Sequence, residues 1–279
     1  KYAQDSSTPY SQVRANLSVL DNIQYPAELL QSKLGDCDDC TVLYCALLEN
    51  LNIPTAFIDH PDHILMMFDS GVTARHAFGF RMEENRYILR NGRFWIPVEV
   101  TKLGEGSFMD AWELGLKICD RLMSQGELKI TDVRTAWGQY PYAMPDVTGE
   151  WEHPDPEALE RFFLANMQVL QTLRGEYVKR EYILPLIQNP DDHIRRIELV
   201  QTKIEAEDFN DATLTALPLL TTEHRAYAYF LMGCSSAGQK DIRSAVTYFE
   251  KALEYDPENP DYAHGLNVLR KLLSKETGP

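Results

Sequence analysis

The sequence predicts an α+β fold, with a helix packed on an antiparallel sheet in the first half of the chain and an all-α second half. Three observations carry this expectation. Apolar residues recur at helical spacing just after Asp36. Short strand-like runs then follow one another without helices between them, which favours an antiparallel sheet over alternating βαβ units. From Pro156 onward nearly every apolar pattern is helical.

Taken in order, the first helix spans about residues 37–50. Val42, Leu43, Ala46, Leu47 and Leu51 form its apolar face. Asp36 suits the N-cap, Asp38 and Asp39 suit the positive end of the dipole, and Asn52 with Pro54 marks the end. Strand-like runs cover 55–59 and 64–68, with Pro61 and Asp62 in the turn between them. A second hairpin is expected where 87–90 and 93–100 flank Asn91-Gly92, since this dipeptide suits a two-residue turn. Residues 108–125 read as another helix. The stretch 137–155, rich in Pro and Gly, reads as a linker, which sets the expected domains at 1–145 and 146–279. Helical patterns follow at 156–175, 193–206, 210–220, 223–237, 241–255 and 260–274.

The second half carries an internal signature. Tyr229, Met232, Gly233, Ala245, Phe249, Ala252 and Pro257 sit at the spacings of a tetratricopeptide repeat, clearest over 226–259. Gly233 and Ala245 would let two antiparallel helices approach, Phe249 and Ala252 would fill the seam, and Pro257 would stop the second helix. The pair at 193–220 looks like a shorter, degenerate repeat. The last helix, 260–274, would cap the stack through Leu266, Leu269 and Leu272. Stacked helix pairs make concave surfaces that bind protein partners.

Composition narrows the function. The chain has 279 residues, 44% hydrophobic and 25% charged, the balance of a globular protein. Its formal net charge is −15, which argues against a nucleic-acid binder and against attraction to an anionic membrane. No apolar run approaches the roughly 20 residues of a spanning helix. Five cysteines imply no disulfide framework. Residues 1–10 hold no apolar signal core, and the Lys1 start is expected of a processed or excised form.

The stretch Gly35-Asp36-Cys37-Asp38-Asp39-Cys40 carries the chemistry. Cys37 falls in the first helical turn, where unpaired N–H groups and the dipole stabilise a thiolate. The three aspartates work against this, so a neighbouring imidazolium is needed, and such a histidine is usually oriented by a third group. His63, opening a strand, is the candidate base, with His60 and His76 as weaker ones. Glu99 is the candidate third group, because a carboxylate in an apolar strand is costly unless it is paired. A Cys37–Cys40 redox pair is the competing reading, but that motif normally follows a strand in a βαβ setting, and 26–34 reads as helical or irregular. Cys40 and Cys45 are expected to pack the helix. Cys119 and Cys234 are isolated, so no zinc site is expected. Trp95 is expected in the core.

The order Gly-Asp-Cys-Asp-Asp at a helix start, then Pro61-Asp62-His63 opening a strand, then Trp95-Ile96-Pro97-Val98-Glu99 resembles the transglutaminase-like superfamily of papain-type cysteine enzymes. Gln24-Tyr25-Pro26 and the text at 47–50 are similar to bacterial members, some of which join this core to tetratricopeptide repeats. The resemblance covers roughly residues 10–101. It implies a catalytic triad of Cys37, His63 and Glu99, where many members have Asp at the third position. It also implies acyl transfer from a protein or peptide substrate to water or to an amine. An oxyanion hole would use the Cys37 N–H and a second donor from Gln24 or Tyr25. No cofactor or metal is implied. A bacterial extracytoplasmic location, periplasmic or membrane-associated, is expected, with the targeting segment absent from this chain. The alternative is a catalytically silent core serving as a protein-binding scaffold.

Overall fold

The computed structural model describes residues 23–60, 63–74, 86–102, 105–140 and 153–276. These fall into two compact units, one running to Gln171 and one beginning at Thr172.

The first unit is α+β with an antiparallel sheet. Helix α1 (Pro26–Ser32) and helix α2 (Cys37–Asn50) precede strands β1 (Thr55–His60) and β2 (His63–Thr73). These strands pair antiparallel from His60↔His63 to Thr55↔Phe68. The expected turn at Pro61 and Asp62 lies outside the described residues. Strands β3 (Ile88–Arg90) and β4 (Arg93–Val98) form the second hairpin, in which Asn91 (φ 53°) and Gly92 (φ 71°) both take left-handed conformations. That geometry matches the right-handed twist of the flanking strands and suits Asn-Gly. The strand ends at Val98 rather than continuing to residue 100. Val100–Lys102 form a 3₁₀ turn instead.

Helix α3 (Phe108–Gln125) follows, as the periodicity predicts. Strand β5 (Lys129–Asp132) was not anticipated and pairs with β1. Helix α4 (Val133–Gln139) corrects the linker reading at Trp137–Gln139, and residues 141–152 lie outside the described chain.

The sheet order is β3-β4-β2-β1-β5. The sheet curls far enough for its two edge strands to meet: Arg90 of β3 makes a bidentate pair with Asp132 of β5, at 2.6 and 2.7 Å. The curl encloses a core of Ala56, Ile58, Leu65, Met67, Trp95 and Leu122, each at most 6% exposed.

Helix α5 (Pro156–Val178) runs across the boundary at Thr172 into the second unit, where a π-helical segment, Lys179–Ile183, and α6 (Leu184–Gln188) follow. Helices α7 (His193–Glu205), α8 (Phe209–Ala216), α9 (Arg225–Gly238), α10 (Ile242–Tyr255) and α11 (Pro260–Glu276) complete it. Ile197, Val200, Ala212, Ala228, Leu231 and Met232 join α7, α8 and α9. Ala245, Phe249, Leu266 and Leu269 join α10 and α11. Phe249 sits where a Cβ on either Gly233 or Gly265 would collide with its ring. Leu272 departs from expectation, being 43% exposed rather than packed in the cap. Among the described residues, no helix is long and apolar enough to cross a membrane.

One contact of the fold bears directly on the site. A Cβ at Gly115 of α3 would lie 2.8 Å from the Pro97 carbonyl oxygen of β4, and backbone cannot step aside as a side-chain tip can. The same helix accepts the Glu99 N–H at the Ala111 carbonyl, at 3.0 Å. Gly115→Ala is therefore expected to cost about 1–3 kcal/mol of stability through overpacking. Urea unfolding measures this, and an unchanged midpoint would contradict the seating of α3 on β4.

Candidate active site

The site starts at the N-terminus of α2. Asp36 is the N-cap in extended conformation, and half-buried Cys37 is the first helical residue. The opening N–H groups of a helix lack carbonyl partners within it, so this end carries partial positive charge beside the thiol.

The surrounding residues fix that position. A Cβ at Gly35 would strike Leu29 and approach Asp39 Cβ to 2.9 Å, so only glycine allows the loop to close. Asp39 is 2% exposed. Its carboxylate accepts from the Gln24 backbone N–H at 2.6 Å, from Gln24 Nε2 at 2.7 Å and from the Asp36 N–H at 3.2 Å. Gln24 Nε2 also donates to the Leu34 carbonyl at 3.0 Å. Both amide hydrogens of Gln24 are thus engaged in bracing the loop, not directed to an oxyanion. Tyr25 caps α1, with its backbone N–H on Glu28 Oε2 at 2.8 Å and its side chain exposed.

His63, the first residue of β2, meets Glu99 directly. Nε2 lies 2.7 Å from Glu99 Oε2. Glu99 immediately follows β4 and is 1% exposed. A buried carboxylate needs several donors, and Glu99 has them. Besides His63, it accepts from the Thr101 N–H at 3.0 Å and the Thr101 hydroxyl at 2.6 Å. Burial alone would raise this carboxyl, but the hydrogen bonds from His63 and Thr101 outweigh it and hold Glu99 below its ordinary value. Thr101 is a supporting residue that the sequence reading missed. Its signal was the Glu-x-Thr spacing, which lets a hydroxyl and an N–H return two residues along the chain.

His63 is raised from 6.5 to about 10, first by its hydrogen bond with Cys37 and then by that with Glu99, against the opposing effect of burial. The imidazole therefore stays protonated through neutral pH. Because Nε2 serves Glu99, Nδ1 is the nitrogen left for the thiol. The structure thus pairs His63 with Glu99, and Cys37 is the first influence on the His63 imidazole.

The aspartates beside Cys37 oppose one another. Asp38 is pushed up to about 7, chiefly by burial and then by a hydrogen bond to Asp36. Near neutrality this carboxyl is about half protonated, which softens its opposition to a thiolate. The second cysteine of the motif, Cys40, is 4% exposed, and burial raises its thiol to about 11. Cys45 is 2% exposed and raised to about 12 for the same reason. A small pocket of about 160 Å³ opens beside Glu99, lined by Tyr44, Val98, Lys102, Ser107 and Phe108.

The alternative bases are placed elsewhere. His60 ends β1 against Arg121, at 3.0 Å, and His76 lies outside the described residues. Trp95 is buried in the core, 6% exposed. Comparison of the chain with protein-family models, with curated proteins and with solved structures finds no match.

The pH dependence of the pair follows from these shifts. The raised His63 contributes stability that is complete below about 6.5 and declines until about 10. The lowered Glu99 contributes stability that is present above 4.5 and lost as pH falls further. The pair therefore contributes most between about 4.5 and 6.5. Histidine NMR is expected to show His63 titrating near 10, with Glu99→Gln moving the midpoint down toward 6.5. A wild-type midpoint near 6.5 would contradict the coupling.

Proposed function

We propose that this protein is a cysteine-dependent acyl-transfer enzyme of the transglutaminase-like, papain-type class, with a tetratricopeptide-like helical unit that recruits a protein partner. The observation that carries the reading is the His63 imidazole, held at 2.7 Å by the buried Glu99, with Cys37 as the first residue of α2. A carboxylate buried this deeply on a histidine matches the role of an orienting third group.

The chemistry runs as follows. Cys37 Sγ, as thiolate, attacks the carbonyl carbon of an amide. The oxyanion that forms faces the Cys37 backbone N–H at the start of α2. His63 gives its proton to the leaving amine as the C–N bond breaks, and a thioester remains on Cys37. Water or a second amine then attacks the thioester, and His63 takes the proton released. Cys37 leaves as thiolate, and the product is an acid or a new amide. Glu99 holds the ring orientation throughout and stabilises the imidazolium.

The helical unit supports the recruiting role through Gly233, Ala245, Phe249 and Ala252. All four lie in the α9–α10 seam or against it, and Ala245 and Ala252 are wholly buried. A second reading, a silent binding scaffold, is favoured by Gln24, whose engaged amide offers no second oxyanion donor.

Two measurements separate these readings. At pH 6.5, iodoacetamide is expected to modify Cys37 first, because Cys40, Cys45 and Cys119 are buried and burial raises Cys234 to about 11. Cys37→Ala is expected to abolish that labelling while circular dichroism is unchanged. With a peptide library and a biotinylated primary amine, wild type is expected to release acid or incorporate amine. Glu99→Gln would lower that turnover about a hundredfold or more. Equal labelling of wild type and Cys37→Ala would defeat the reading, and labelling without any turnover would favour the scaffold.

A further inference from the structure

The second unit holds a side-chain cluster that the acyl-transfer chemistry does not use. His193 is the first residue of α7, and His224 is the N-cap of α9, 31 positions later. Glu223 precedes His224. One ligand atom from each of His193, Glu223 and His224 lies within 4.8 Å of the other two. The two imidazoles meet edge to face, with ring centroids 5.8 Å apart, and His224 Nε2 lies 3.4 Å from Glu223 Oε1. Both histidines are half-buried, while the Glu223 side chain is 76% exposed.

We propose that His193, Glu223 and His224 form a binding site for a divalent transition-metal ion of the zinc class. Two imidazoles and a carboxylate are a common donor set for zinc, and its bond lengths of about 2.0–2.2 Å place neighbouring donors about 3.3–3.5 Å apart. The His224–Glu223 pair already has this spacing. Modest side-chain rotation closes the remaining distances, and the exposure of Glu223 leaves it free to turn. Three protein ligands leave a position for water, the form of an open site. Calcium is disfavoured, because it takes oxygen donors.

The backbone around the cluster is fixed independently of the rings. The His193 N–H donates to the Asp191 carbonyl at 2.9 Å, and the His224 N–H donates to Thr222 Oγ1 at 3.1 Å. The arginines nearest in sequence are engaged elsewhere. Arg195 pairs with Asp192 at 3.5 Å, and Arg196 donates to the Pro190 carbonyl at 2.9 Å. Arg225 donates to the Leu220 carbonyl and lies over the Tyr255 ring at 5.0 Å. No fixed cation therefore competes from these positions. A bound ion would tie the start of α7 to the start of α9, two helices that share one core.

The test is calorimetric titration of the chelator-treated full chain with Zn²⁺, in a Cys37→Ala background that removes the thiol lying between Asp36 and Asp38. The expected result is one equivalent bound. His193→Ala and Glu223→Gln are each expected to weaken binding at least about tenfold. Zn²⁺ is also expected to raise the thermal unfolding midpoint of the parent but not of His193→Ala. Glu223 is exposed, so its variant keeps the test valid if a histidine variant fails to fold. Unchanged affinity in Glu223→Gln, no binding at millimolar Zn²⁺, or equally tight binding of Ca²⁺ would each overturn the proposal.

Discussion

The arrangement of the first unit depends on one buried charge. Glu99 is 1% exposed, and a carboxylate in that position is tolerable only with donors in place. Its donors come from two directions, His63 at the head of β2 and Thr101 in the turn after β4. Both the β2–β4 register and the seat of α3 on β4 must be correct for them to converge. The Ala111 carbonyl takes the Glu99 N–H, and Gly115 lets the helix reach the strand at all. Removing one partner alone would leave an uncompensated charge, so the fold of this unit depends on the whole set of donors.

A second buried carboxylate plays the same part for the thiol. Asp39 gathers Gln24 and the backbone of Asp36, and so sets the loop that delivers Cys37 to the helix start. The aspartate run is thus divided by burial and hydrogen bonding. Asp39 acts as a brace, and Asp38 is pushed up to about 7 so that its charge partly withdraws near neutrality. Counting the three as equal negative charges overstates how strongly they oppose a thiolate. The imidazolium of His63, persistent to about pH 10, supplies the opposite influence.

What was legible in the sequence was local. The helix at Cys37, the Asn91-Gly92 hairpin and the helix at Phe108 each carry their signal within a few residues, and each forms where the pattern puts it. The pairing of His63 with Glu99 was legible for a different reason, since an acid at the end of an apolar strand calls for a partner. What escaped was non-local or weakly patterned. Strand β5 has only four residues and no alternation strong enough to announce it, and it gains its place from β1 and from the Arg90–Asp132 pair across the curled sheet. Gln24 looked like a free donor because nothing in the sequence says that Asp39 is buried against it.

The cluster of His193, Glu223 and His224 extends that lesson. Neither histidine stands in a ligand motif, because the two are brought together by α7 packing on α9 rather than by spacing along one helix. A donor set of this kind cannot be found by counting intervals, only by asking which nitrogen and oxygen donors a tertiary contact places within reach of one another. The same physics that makes Glu99 informative applies here in reverse. A buried acid must already have its donors within the fold, whereas an exposed acid is held by water that an ion can displace. In the first unit the carboxylate is consumed by the fold, and its chemistry is internal. In the second it is left over, and leftover donors converging from separate helices are what a cation can use.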